Sequence, residues 1–297
     1  IRAAQESRGL GDVYKWQVLI VHVASAEVSK KEKEALLEFH HSTNGNHWVK
    51  KWDLKAPVSN WYGVRIVNNK VVGIQLFHNN LMGQLPEEIG NLKHLTSLNL
   101  AFNAITGELP KSLVKLTKLR VLKLEMNRIK GKIPLDIGAM VSLEEISAFN
   151  NFLSGSIPES IGTIKNLKVL NLSSNSLKGA IPSSLGSLDK LETLGLFENR
   201  LEGAIPVAIG NLKNLKELVL ANNNLEGDIP VEFGQLASLE VFQIQNNKFS
   251  SLENLEMLDE KQFLVFDYDR EDRDIQFKDI NLSKSRMVDT KIEDIED

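Results

Sequence analysis

The feature that most constrains this chain is an asparagine that returns every 24 residues. The series consists of Asn79, Asn103, Asn127, Asn151, Asn175, Asn199, Asn223 and Asn247. A proline keeps the same step from Pro86 to Pro230. A fixed period of this size predicts a solenoid, in which similar coils stack on one another and bury one continuous core.

The residues around each asparagine predict how one coil is built. Leu98 and Leu100 alternate with other residues, which indicates a short strand with its apolar side facing the interior. An asparagine side chain has two donors and an acceptor, so eight in register predict a hydrogen-bonded ladder. A glycine four residues later, such as Gly131, indicates a tight turn. We therefore interpret nearly all of these leucines, asparagines and glycines as scaffold.

The segment before the repeats has the signals of a helix and a hairpin. Ser29 and Glu32 have the spacing of a capping box, which predicts a helix of about 12 residues ending near Asn44. Asn68 and Asn69 separate two apolar runs and predict a two-residue hairpin turn.

Three of the four tryptophans also lie in this segment: Trp48, Trp52 and Trp61. We predict that they plug the open apolar end of the solenoid, because terminal repeats need a cover. After Asn247 the repeat pattern stops. Leu252, Leu255 and Leu258 then predict a short closing helix, and residues 263–266 predict a capping strand.

Four segments follow from these patterns. Residues 1–28 are a signal or leader sequence or, alternatively, a cap strand, because an apolar run precedes Ala24-Ser25-Ala26. Residues 29–71 form the N-terminal cap with its helix, tryptophan plug and hairpin, and residues 72–250 form the repeats. Residues 251–297 form a C-terminal cap and an acidic tail. From 267 to 297 there are 11 acidic and 6 basic residues, which gives this tail a net charge of −5.

Composition excludes several classes of function. The formal net charge of −4 does not suit nucleic-acid binding. Cysteine is absent, which excludes disulfides and thiolate metal sites. His40, His41 and His47 lack the further ligands that a metal site normally has nearby. No sequence motif for phosphate binding or nucleophilic catalysis occurs. We therefore expect no metal, no cofactor and no catalytic residues.

The repeat itself resembles a known family. The sequence from Asn199 to Leu212 reads N-x-L-x-G-x-I-P-x-x-I-G-x-L and resembles the plant-type leucine-rich repeat of receptor-like-kinase ectodomains and polygalacturonase-inhibiting proteins. The segment from Ala35 to Val64 resembles the cysteine-free cap of secreted bacterial and algal proteins of this kind. Plant ectodomains usually bracket their repeats with cysteine pairs, so the lack of cysteine departs from them and favours the bacterial type.

This resemblance implies an α/β solenoid, a curved right-handed leucine-rich-repeat array of about eight repeats with a parallel concave β-sheet and a cap at each end. It also implies an extracellular or cell-surface protein, with the cytoplasm as the alternative. We expect a monomer that binds a protein, peptide or glycan on its concave face.

Two columns of positions on the predicted concave face give the candidate ligand-binding residues. They are Phe77, His78, Phe102, Met126, Phe149 and Phe197. Strands in adjacent coils lie about 4.8 Å apart, so these side chains should form an apolar stripe. Such patches often mark interaction sites. Alternatively, Phe102 and Met126 fold partly into the core, and Phe149 or Met140 fills the space that Ala148 leaves.

Four functions remain in order of preference. The first is a non-enzymatic recognition module, and the second is an inhibitor of a secreted polysaccharide hydrolase. The third is a structural or adhesive fragment of a larger surface protein. An enzyme comes last: the carboxylate pairs Glu125 with Glu145 and Glu198 with Glu217 have no evident pocket, and we interpret the second pair as solvated charges.

Overall fold

The computed structural model describes residues 27–258 and 263–268. The interpretation of the first 26 residues as a leader or cap strand lies outside these residues, and so does the acidic tail from residue 269 onward. Among the described residues, no helix combines the length and the apolar character needed to cross a bilayer.

The chain begins with the predicted capping helix. The α-helix Lys30–Ser42 is capped by Ser29, whose hydroxyl oxygen accepts a hydrogen bond from the Glu32 backbone N–H at 3.3 Å. Glu32 also accepts a hydrogen bond from the Val71 backbone N–H at 3.2 Å, which joins the helix to the hairpin. The capping glutamate therefore holds both the helix start and its tertiary contact.

The three tryptophans form the predicted plug. Trp48, Trp52 and Trp61 are all buried, and the Trp52 ring stacks on Trp61 with centroids 4.7 Å apart. Phe39 from the helix completes the cluster, with its ring 5.9 Å from that of Trp48. Each indole N–H donates to a backbone carbonyl, so burial leaves no indole donor unpaired.

One long sheet forms the face of the solenoid. Within the described residues it has ten strands, in spatial order Val64–Val67, Lys70–Gln75, Ser97–Asn99, Val121–Lys123, Glu145–Ser147, Val169–Asn171, Thr193–Gly195, Glu217–Val219, Val241–Gln243 and Val265–Asp267. The first two pair antiparallel as the predicted hairpin, with Asn68 and Asn69 at positive φ, and every later pair is parallel. The register steps by 24 residues, as in Leu98 beside Leu122.

A second sheet, which the sequence pattern did not predict, forms from strands that stand between the concave strand and the 3₁₀-helix of each coil. Its six strands within the described residues are Lys130–Lys132, Phe152–Gly155, Ser176–Gly179, Arg200–Ala204, Asn224–Asp228 and Lys248–Ser251. Met82–Gln84 and Ala104–Thr106 form a separate pair. All of these strands except Ala104–Thr106 and Lys248–Ser251 contain the glycine that follows the asparagine. This glycine therefore usually lies in a strand at positive φ and not in an isolated turn.

Short 3₁₀-helices lie in the N-terminal cap, which holds the first two, and along the back of the coils. They are Gly45–His47, Val58–Asn60, Glu87–Asn91, Lys111–Lys115, Ile137–Ala139, Glu159–Thr163, Ser183–Ser187, Val207–Asn211, Val231–Gln235 and Glu253–Met257. The last of these is the predicted closing helix, and the strand Val265–Asp267 is the predicted capping strand. Between the two sheets and these helices, one apolar cluster runs from Val28 to Leu258.

The asparagine ladder runs through this core. The Asn127 amide group donates to the carbonyl oxygens of Leu100, Leu124 and Glu125 at 2.9, 3.0 and 3.2 Å. Its side-chain oxygen accepts from the Ile105 N–H at 3.0 Å. Each asparagine from Asn103 to Asn247 repeats this pattern one coil further on, so the ladder fixes the stacking of neighbouring coils.

Candidate ligand-binding face

The concave face is the solvent side of the long sheet. At its N-terminal end Phe77 and Phe102 are 44% and 38% exposed, and their ring centroids lie 5.1 Å apart. His78 is also exposed, and its ring lies 6.1 Å from that of Phe77. We call these three residues the aromatic patch. Because the rings contact one another and remain open to solvent, they present one apolar surface to a ligand.

The backbone at Phe102 argues against a purely structural role for its ring. The residue before each ladder asparagine adopts the left-handed conformation, with φ of 57° at Phe102. Asparagine tolerates this conformation best and occupies the equivalent position at 150, 222 and 246. A bulky aromatic residue there is unfavourable. Neither the backbone conformation nor burial therefore explains a phenylalanine at position 102.

The other predicted site residues are less accessible. Met126, Phe149 and Phe197 are each half-buried, and Met126 accepts a hydrogen bond at sulfur from the Asn150 amide at 2.8 Å. Ser173 lies between Phe149 and Phe197 in the same column. Among the described residues, ring contacts on this face join the aromatic patch and do not extend to Phe149 or Phe197. The aromatic patch is thus the exposed part of the predicted stripe.

Sequence reasoning missed an apolar neighbour of the patch. Val49 is 68% exposed, and its N–H donates to the Asn79 carbonyl oxygen at 3.1 Å. This contact places a cap residue beside the first repeat, one position from His78. No periodic signal identifies Val49, because it belongs to the irregular chain between the helix and the hairpin.

The carboxylates on this face do not form an acid–base pair. The Glu145 carboxylate forms an ion pair with Lys123, with 3.2 Å between Oε1 and Nζ. The Glu198 carboxylate accepts a hydrogen bond from the Ser174 hydroxyl at 2.7 Å, and burial raises the pKa of Glu217. Glu217 accepts a hydrogen bond from the Thr193 hydroxyl at 3.4 Å, so Glu145, Glu198 and Glu217 each contact a side chain in the adjacent coil.

Glu125 is a buried carboxyl in the middle of the concave face. It is only 2% exposed, and its Oε2 atom has no hydrogen-bond partner among the described residues. Burial is the main cause that raises its pKa, and nearby Glu145 acts in the same direction. Hydrogen bonding to Ser147 and the charge of Lys123 oppose this shift.

The raised pKa predicts how stability depends on pH. The folded chain holds the Glu125 proton more tightly than the unfolded chain does, so this group stabilises the fold at low pH. That contribution is lost as the pH rises above the ordinary carboxyl pKa of 4.5 and through the raised value. We expect Glu125→Gln to raise the melting temperature at pH 7 and to change it little at pH 4. Equal effects at both pH values would contradict this expectation.

The margin of the face carries alternating charges. Arg120, Glu144, Lys168, Glu192, Lys216 and Glu240 occupy one position in six successive coils. Arg120 pairs with Glu144 at 2.7 Å and Lys216 with Glu192 at 2.8 Å. The pKa of Glu144 is lowered by its hydrogen bond from Arg120. This column neutralises itself, and exposed pairs of this kind contribute little to stability.

Of the three cap histidines, His40 packs against the tryptophan cluster. His40 is buried, and its ring lies 5.1 Å from Trp48 and 5.9 Å from Trp52. Burial lowers its pKa, which favours the neutral form. Across residues 27–258 and 263–268, no three histidine or acidic side chains are placed to hold a metal ion.

Comparisons with known proteins agree with this architecture. A family model described as a leucine-rich repeat region matches residues 74–199, and a leucine-rich repeat model matches residues 191–249. Polygalacturonase inhibitor 2 from Arabidopsis thaliana is 32% identical over 85 residues, which cover 27% of this chain and 26% of the inhibitor. The chain thus matches about a quarter of the length of that relative.

Solved structures of similar fold include plant receptor ectodomains. The ectodomain of the Arabidopsis thaliana receptor kinase GASSHO1/SCHENGEN3, in complex with CASPARIAN STRIP INTEGRITY FACTOR 2, has 31% identity and a TM-score of 0.73. The alignment covers 79% of this chain and 29% of that one. The PEPR1–AtPEP1 structure has 29% identity and a TM-score of 0.70, and covers 81% of this chain and 36% of that one.

These matches and the stacked 24-residue coils define the class: the chain is a leucine-rich-repeat protein. Together the two family models span residues 74–249, which is more than half of the chain. Its repeats are of the plant type, as the similarity to the inhibitor and to the receptor ectodomains indicates.

Proposed function

We propose that the chain is a non-enzymatic, extracellular recognition module that binds a protein or peptide on its concave face, with the aromatic patch as the main contact. The observation that carries this proposal is the exposed ring pair of Phe77 and Phe102, 5.1 Å apart. Aromatic anchors commonly dominate binding energy at interfaces. The similar ectodomain structures that contain CASPARIAN STRIP INTEGRITY FACTOR 2 and AtPEP1 support a peptide-sized or protein ligand.

The double substitution Phe77→Ser and Phe102→Ser tests the proposal. We expect it to abolish partner capture in a pull-down from the medium of the source cells, because truncating interface anchors costs about 2 kcal/mol or more each. The melting temperature should stay close to that of the wild type, because both rings are exposed.

Val207→Ser combined with Val231→Ser is the matched control. These two residues are 60% and 54% exposed and stand in the 3₁₀-helices at the back of the coils. The control should retain capture. Retention of capture by the aromatic double variant, or its loss in the control alone, would exclude the aromatic patch as the binding surface.

Inhibition of a secreted polysaccharide hydrolase is the second candidate. The similarity to polygalacturonase inhibitors 1 and 2 of Arabidopsis thaliana supports it, at 33% and 32% identity over short segments. The purified chain should then lower the activity of a fungal or bacterial polygalacturonase, and the aromatic double variant should not. Full activity of a hydrolase panel at saturating chain concentration would eliminate this candidate.

A further inference from the structure

A second exposed surface lies on the six-stranded sheet, whose strands stand between the concave strand and the 3₁₀-helix of each coil. Its strand Lys130–Lys132 pairs with Phe152–Gly155, with Lys130 directly beside Phe152. Arg128, Lys130, Lys132 and Lys178 are exposed there, and Phe152 is 60% exposed. We call these five residues the basic flank. It shares no residue with the concave face.

The cations of the basic flank are not neutralised by ion pairs. Within the described residues, none of the four lies within 4.0 Å of a carboxylate, whereas Arg120 and Lys216 on the concave margin are both paired. Three carboxylates lie near the flank. Glu108 packs against the backbone of Gly131, and Glu159 faces the Ser184 N–H at 3.3 Å. Glu202 is exposed in the strand beside Lys178. Four cations against three carboxylates leave the surface positive, mainly around Lys130 and Lys132.

An apolar groove continues the flank beyond Lys132. It has a volume of about 470 Å³, and its apolar lining includes Leu135, Ile157, Pro158, Ala180, Ile181 and Pro182. Leu135 is 77% exposed and stands three residues after Lys132. The groove and the cations therefore lie along the third, fourth and fifth repeats.

We propose that the basic flank and this groove form a docking surface for a second protein that presents an acidic segment with one large apolar side chain. Lys130 and Lys132 stand two residues apart in a short strand, and two residues of a regular strand span about 6.4–6.8 Å. An extended partner with acidic residues at alternate positions matches this spacing. Its apolar side chain, about three residues further on, then enters the groove beside Leu135.

The apolar half of the surface favours a protein over a carbohydrate or nucleic-acid polyanion. Phe152 and Leu135 are exposed large apolar side chains. A purely anionic polymer would leave the groove without an apolar occupant. Burying a leucine side chain in it would strengthen binding about tenfold or more. The charges set the orientation, and the groove supplies the selectivity.

Fluorescence anisotropy with a defined peptide tests this proposal on the full chain. The probe is a fluorescein-labelled octapeptide with two aspartates at alternate positions and a leucine three residues after the second aspartate, synthesised in forward and reversed order. We expect one of the two orders to bind, and replacement of its leucine by serine to weaken binding about tenfold. Raising the salt concentration should also weaken binding.

The chain variant for this test is Lys130→Glu with Lys132→Glu, which should abolish binding of the octapeptide. Lys93→Glu with Lys118→Glu is the matched control, because both lysines are exposed and lie outside the second sheet. It should bind like the wild type, and both variants should keep the wild-type melting temperature. Leu135→Ser should weaken binding of the leucine peptide and leave binding of the serine peptide unchanged.

Three results would overturn the proposal. The first is no binding by either order of the peptide. The second is equal binding of the leucine and serine peptides, or of labelled polygalacturonate, which would indicate a surface that selects charge alone. The third is loss of binding in the Lys93 and Lys118 control to the same degree. Because the aromatic patch is absent from this surface, the Phe77→Ser and Phe102→Ser variant should bind the octapeptide normally.

Discussion

Replacing Asn127 with alanine should lower the free energy of unfolding by about 3–5 kcal/mol, since each buried polar group left unpaired costs about 1–3 kcal/mol. The substitution removes one acceptor and two amide hydrogens that serve three carbonyl groups. The Ile105 N–H lies in a buried region and loses its partner. Water cannot replace the side chain easily, because Asn127 is only 6% exposed.

Urea denaturation followed by circular dichroism measures this effect, with Asn211→Ala as the control. Asn211 ends an exposed 3₁₀-helix, and its replacement should change stability by less than about 0.5 kcal/mol. Asn127→Asp removes the amide donors but keeps the side-chain volume, so it distinguishes the loss of hydrogen bonds from the loss of packing. The aspartate keeps the acceptor but turns a second oxygen toward carbonyl groups, so it should be as destabilising as alanine at pH 7. Near-wild-type stability of Asn127→Asp would show that the donors of the ladder are dispensable.

Trp48→Ala in the cap should cost about 3–5 kcal/mol, the usual range for removing a large buried aromatic side chain. Trp48 is 1% exposed and lies 4.9 Å from Trp52 and 5.9 Å from Phe39 between ring centroids. Its indole N–H donates to the Thr43 carbonyl oxygen at 3.0 Å. The substitution therefore opens a cavity and removes one of the two hydrogen bonds that this carbonyl oxygen accepts, the other coming from the Met82 N–H at 3.1 Å.

The loss of stability in Trp48→Ala should begin at the N-terminal end, because each repeat contacts only its neighbours. Hydrogen exchange followed by mass spectrometry should show faster exchange in the α-helix Lys30–Ser42 than in the strands of the last repeats. Tyr62→Ala is the control: Tyr62 is 41% exposed and contacts Lys50 at 4.4 Å, so its removal should have a small effect. Equally faster hydrogen exchange along the whole solenoid would contradict the expectation that the cap opens separately from the last repeats.

The sequence allowed those parts of the fold to be predicted in which a local pattern and the tertiary structure agree. Ser29 and Glu32 specify the helix start by themselves, and Asn68 and Asn69 favour the positive φ that the hairpin turn requires. The ladder asparagines also allowed a prediction, because a polar residue that is buried among core leucines in every repeat must have hydrogen-bond partners there.

The second sheet was missed for a physical reason. Its strands are three to five residues long, and all but Lys248–Ser251 contain a glycine, as in Lys130–Lys132, so they have little strand propensity of their own. Their pairing is imposed by coils that the core leucines and the ladder have already stacked. The register between neighbours is therefore a consequence of the solenoid, and no local pattern reports it.

The candidate site residues were predicted from equivalent positions in successive repeats. Residues at equivalent positions differ, however, in how much of the side chain is exposed. Phe77 and Phe149 occupy equivalent positions, yet Phe77 is exposed and Phe149 is half-buried. Glu125, also equivalent, is almost completely buried. With about 4.8 Å between strands, the size of the side chain in the next coil decides how much of each residue stays open. The exposed fraction therefore depends on three-dimensional packing and cannot be derived from the alternation of inward- and outward-facing residues along a strand.

Carbene footprinting of the chain, alone and with its captured ligand, tests the central claim most directly. If recognition occurs at the aromatic patch, labelling should fall in the peptides that contain Phe77, His78 and Phe102. Labelling of Val207 and Val231 at the back of the coils should not change. Protection confined to the back, with the aromatic patch labelled equally in both samples, would contradict the proposed concave binding face.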